Sequence, residues 1–153
     1  ELLPLSLLCM VILLVTLIAI YLQLNVGRSA TEPAEKFFVH LPISIYLGWI
    51  SIATIANVTA LLVAYKWNRF GISEQVWTVL MIGIGTALAL LVLFQRKDLF
   101  YALVVDWAVL GILIKRASAN RASAQGVIVT SIICISVITI ASLIQIIRGK
   151  VYS

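Results

Sequence analysis

Apolar residues along this chain fall into five long runs separated by short polar interruptions. The runs cover residues 2–24, 41–65, 75–94, 99–114 and 126–147. Each approaches or exceeds the roughly 17–25 residues that a helix needs to cross a hydrocarbon core. The fourth, 99–114, is the shortest. A membrane β-barrel would show brief alternating segments instead of unbroken runs. The pattern therefore predicts an all-α, multi-pass integral membrane protein, a bundle of about five transmembrane helices. The last run is rich in β-branched residues, which in water favour strands, but its length in this setting is that of a membrane helix.

The interruptions carry start and stop signals. Residues Asn25 to His40 include Gly27 and Pro33 and read as a loop. Pro42 suits the first turn of the second run. Lys66-Trp67-Asn68-Arg69-Phe70-Gly71 leads to Ser73, an N-cap for the third. Gln95-Arg96-Lys97-Asp98 is a tight turn that makes the third and fourth runs antiparallel neighbours, with Asp98 capping the fourth. Lys115 to Gln125 is a small, polar, basic loop. The chain opens Glu1-Leu2-Leu3-Pro4, with neither a Met nor a basic leader, and reads as part of something longer.

Composition agrees with this reading: 63% of the 153 residues are hydrophobic and 11% charged, too apolar for a water-soluble domain. The net charge of +5 lies in loops and at helix ends, the usual membrane-interface distribution, so no nucleic acid is expected as a partner. With alternating spans, five Lys or Arg fall on one side and six on the other, too even to set the orientation. Cys9 and Cys134 lie inside apolar runs without metal or redox spacing and read as small core residues. His40, the sole histidine, reads as a boundary residue, with axial ligation of a tetrapyrrole as the alternative. Trp67 and Trp77, with Tyr65 and Phe70, read as an interfacial aromatic belt.

Two features inside the runs go beyond a generic bundle. Asp106 is the only acid within an apolar run, and a carboxylate there needs a partner or a cavity. It is either a ligand anchor or a structural bond to another helix, and Asn57, Thr54 and Tyr46 are the candidate partners. Tyr46, Trp49, Ala53 and Asn57 recur at spacings of three and four, which puts aromatic, small and amide side chains along one helical stripe. Asn57 is expected to bond to a neighbouring helix. The stripe is either a ligand surface or a helix-packing seam. Small-residue rows at Gly83/Ala87, Gly85/Ala89 and Ala56/Ala60/Ala64 permit close helix contact. No nucleophile–base pair, phosphate loop or metal cluster is apparent, so no enzyme mechanism is expected.

The stretch from Tyr46 to Asn57, YLGWISIATIAN, resembles the fifth-helix pattern Y-x-x-W-x-S-x-A-T-x-x-N of the tryptophan-rich sensory protein or translocator protein (TspO/MBR) family. The wider block from Leu41, with VWT and DWA further on, looks like a longer branch of that family with extra helices. The resemblance implies a TspO-like part at 1–65, additional helices at 66–153, and helices upstream of the first. It also implies that Tyr46, Trp49, Ala53 and Asn57 face a pocket for a hydrophobic small molecule, with a porphyrin, a chlorophyll-like pigment, a sterol or a lipid as candidates. The competing expectation is an accessory subunit that packs, within the bilayer, against other membrane subunits or a second copy of itself.

Overall fold

The computed structural model describes residues 3–27, 32–65, 68, 71–118 and 125–148. Five long helices account for most of them: α1 (Leu3–Gln23), α3 (Leu41–Ala64), α4 (Glu74–Arg96), α5 (Leu99–Ser118) and α6 (Gln125–Ile147). A three-residue turn of helix, α2 (Pro33–Glu35), precedes α3. Four segments, Pro4–Gln23, Lys36–Leu62, Glu74–Arg96 and Gln125–Ile147, are long and apolar enough to cross a bilayer. The protein is thus an all-α, multi-pass membrane protein.

Two boundaries depart from the sequence expectation. The loop expected up to His40 closes instead in helical turns, because α2 is followed by a π-helical turn, Lys36–His40, whose Lys36 carbonyl accepts the Leu41 N–H. Pro33 starts this run as proline does at a first helical position. At the other end of the bundle, α5 continues four residues beyond 114. Lys115 and Arg116 suit the negative end of a helix, the Arg116 guanidinium lies 3.1 Å from Glu74 Oε1, and the Ser118 hydroxyl donates to the Ile114 carbonyl. The two predicted caps are present: Val76 N–H donates to Ser73 Oγ, and Tyr101 N–H donates to Asp98 Oδ1 at 3.2 Å. Lys97, between α4 and α5, takes a left-handed conformation that lets the chain reverse in two residues. Trp67 and Phe70, together with Lys66 and Arg69, lie outside the described residues.

The core sits between α4, α5 and α6. Buried positions on α6 (Val127, Ser131, Cys134, Ile138, Ala141, Gln145) alternate between steps of four and three, the spacing that meshes neighbouring helices at a shallow angle. Gly85 and Ala89 of α4 and Ala102, Val105 and Val109 of α5 complete this core. The Gly83/Ala87 row instead faces outward, as do Ala56, Ala60 and Ala64. Cys134 is buried, Cys9 is exposed, and both are free. On its other side α5 packs on α3, and α3 carries α1, so α5 is the central helix and α1 lies at the edge. At Gly48 the α3 and α5 backbones come close: an added Cβ would stand 3.1 Å from Val104 Cβ and 3.3 Å from the Tyr101 carbonyl. Large apolar side chains such as Ile12, Val15, Ile133 and Ile140 point outward, as they must in a bundle solvated by lipid.

Candidate functional site

Polar side chains inside an apolar helix must find acceptors without water, and α3 resolves this mostly within itself. The Ser51, Thr54 and Thr59 hydroxyls donate to the carbonyls four residues earlier, at 2.7 Å, 2.7 Å and 3.0 Å. Asn57 does the same: its Nδ2 donates to the Ala53 carbonyl at 3.0 Å. The expected bond from Asn57 to another helix is replaced by this local one, because the Asn57 side chain lies over an open groove.

The stripe is outward-facing. Tyr46 is 44% and Trp49 56% exposed, while Ala53 and Asn57 are half-buried. Along this face α3 and α5 border an open trough of about 530 Å³, with Trp49, Ala53 and Asn57 on one bank and Trp107, Gly111 and Lys115 on the other. A second hollow of about 540 Å³, lined by Tyr46, Trp49, Leu103 and Trp107, continues it past the two tryptophans. Trp107, 72% exposed, is a contributor that sequence reasoning did not assign to the site. Trp49 and Trp107 each stand eight residues inside their helices, about 12 Å from the helix start. Interfacial tryptophans sit at headgroup level, so two aromatic faces at this depth mark a surface that meets something other than the interface.

Asp106 does not join this trough. Its Oδ2 accepts the Thr139 hydroxyl of α6 at 3.0 Å, and its Oδ1 is buried without a hydrogen-bond partner. None of the three partners expected from sequence reaches it, although α3 and α5 are neighbours. The reason is angular: α3 approaches α5 at Val104, and two residues of helix turn Asp106 about 160° from that position. Four of the five expected site residues therefore share one face, and the fifth looks towards α6.

A denser polar cluster lies where α1 ends and α4 turns into α5. The Tyr21 hydroxyl donates to Asp98 Oδ2 at 2.9 Å, and Asp98 is 2% exposed. The Arg96 guanidinium carbon lies 5.7 Å from the centre of the Tyr21 ring. Gly27, at φ +79°, sits against the Arg96 carbonyl, where any Cβ would collide. His40 is buried beside this cluster, its Nε2 3.9 Å from Glu35 Oε1. With Ser44 and Asp98 it lines a cavity of about 10 Å³, the size for one water and too small for a tetrapyrrole.

A family model described as TSPO-like protein matches residues 1–144 of the chain. No match is found among curated proteins or among solved structures.

Proposed function

The chain belongs to the TSPO-like protein family, and from that premise we propose that it binds or carries a flat hydrophobic small molecule, a tetrapyrrole or a sterol, in the trough between α3 and α5. The observation that supports this reading is the pair Trp49 and Trp107, two exposed indole faces at mid-helix depth opening onto the same trough. Tyr46 extends the aromatic wall, Ala53 leaves room for a ring, and Asn57 can offer its amide from the α3 bank. Binding here needs shape and stacking with few polar contacts. On this reading residues 1–65 bring the ligand-facing stripe, residues 66–153 add helices of which α5 supplies the second wall, and the protein is a binder with no catalytic step.

Tryptophan emission during titration with a porphyrin and with a sterol tests the proposal. Quenching or a spectral shift should saturate in the wild type and fall away in Trp49→Phe and Trp107→Phe. Emission that neither ligand alters in any of the three proteins refutes the trough as a binding site.

The same exposed tryptophans favour a second reading, in which the trough is covered by another membrane subunit or a second copy. Native electrophoresis in mild detergent separates the two: a stable monomer with no co-purifying chain supports the small-molecule reading, and a persistent larger species supports the subunit.

A further inference from the structure

A second groove lies on the other side of α3. α1 and α4 both flank α3 but scarcely meet each other, and the gap between them holds about 440 Å³, within the range of small-molecule sites. Its polarity is graded along its length. Leu14 and Ile18 of α1 and Leu88 and Leu91 of α4 line one end, while Tyr21, Gln95, Arg96 and Tyr101 line the other. Leu88 stands eight residues before Arg96, so the apolar part runs for about 12 Å from the polar end.

Arg96 closes that polar end with an unmet requirement. Its Nη1 is buried and has no hydrogen-bond acceptor. Among the described residues no carboxylate lies within ion-pair distance of it. The nearby acid, Asp98, already spends its two oxygens on the Tyr21 hydroxyl and the Tyr101 N–H. Arg96 as a whole is half-buried, and because a guanidinium stays charged at any accessible pH, a partly desolvated one gains from an anion beside it. Its planar fork suits a carboxylate held by two hydrogen bonds.

We propose that this groove binds a single-chain amphiphile through its carboxylate, with the head on Arg96 and the chain laid between α1 and α4 towards Leu14 and Leu88. One cation beside a buried acid favours a monoanion over a more highly charged head. The length and volume of the groove suit one chain. This site is distinct from the α3–α5 trough and does not depend on the reading given for it.

Titration with a dansyl-labelled fatty acid and with its methyl ester, on the full chain in phosphatidylcholine nanodiscs, tests the assignment. The acid should bind more tightly than the ester by about tenfold or more, the usual scale for a charge-assisted hydrogen bond. Arg96→Gln should abolish that preference by weakening the acid alone, and Arg96→Lys should keep part of it. Retained ester binding shows that the variants are folded. Leu91→Trp, which fills the groove, should weaken both probes, whereas Ile133→Ala, on the outer face of α6, should change neither. Equal affinity for acid and ester, or an Arg96→Gln variant with wild-type affinity for the acid, overturns the proposal. Full displacement of the probe by a minor fraction of phosphatidylglycerol would also overturn it, by giving the groove to bilayer phospholipid.

Discussion

Asp98 illustrates how much one side chain holds when water is scarce. It ends the α4–α5 turn, caps α5 through Tyr101 N–H and receives the Tyr21 hydroxyl, so one carboxylate joins three chain segments. Tyr21→Phe leaves Oδ2 unpaired in a buried setting and should cost about 1–3 kcal/mol. Asp98→Ala removes the cap as well and should cost more, and thermal melting in detergent reads both. Asp106 and Thr139 form a simpler pair. A double-mutant cycle of Asp106→Leu and Thr139→Val should give a coupling of about 0.6 kcal/mol, up to roughly 1.7 kcal/mol. The cycle of Asp106 with Asn57 should give none, and a comparable coupling there would contradict the placement of Asp106 against α6. At this scale sequence reading found the unusual residues but not their partners. Asp106 stands out by type alone, whereas its orientation depends on which face of α5 each neighbour takes. Asp98 was legible as a cap because capping is local, but its bond to Tyr21 spans 77 residues and leaves no local trace.

Among the helices, close approach is decided by a few glycines. Gly48→Ala should push α3 from α5 at a cost of about 1–3 kcal/mol, since Val104 and a backbone carbonyl stand in the way. Gly83→Ala and Gly111→Ala meet nothing within 4 Å and should leave stability unchanged or slightly raised. Chemical denaturation in mixed micelles orders the three variants, and a neutral Gly48→Ala would show that the α3–α5 contact is looser than its geometry. Helix number and most ends could be read from the chain, because a run of apolar residues bounded by Ser73, Asp98 or basic loops has few other ways to satisfy its backbone in lipid. Which glycine rows pack could not. Gly83/Ala87 and Gly85/Ala89 look alike in sequence, yet only the second is buried, because both rows lie in an apolar helix where hydrophobicity separates no inner face from an outer one. The π turn before α3 was missed for a related reason: its Phe37 and Phe38 carry no signal that separates loop from wide helix.

For the whole bundle, the asymmetry of packing sets how it comes apart and how it is assembled. α1 is attached mainly through α3 and the Tyr21–Asp98 bond, whereas α5 touches α3, α4 and α6. The central helix is also the one that carries Asp106, Lys115 and Arg116. On insertion scales an Asp near the middle of a span opposes entry by about 2.5–3.5 kcal/mol. The helix that organises the fold is thus the one least able to leave the translocon for lipid by itself. Its two-residue link to the strongly apolar α4 offers a way in, since a tightly joined pair can partition as one hairpin. In a glycosylation-mapping assay, a reporter bearing α5 alone should be translocated past the membrane, and one bearing α4 with α5 should integrate. Lengthening the turn around Lys97 with a flexible linker should then lower integration of α5 even though no residue of either helix has changed. A single left-handed residue between two helices would in that way govern biogenesis before it contributes anything to the folded state.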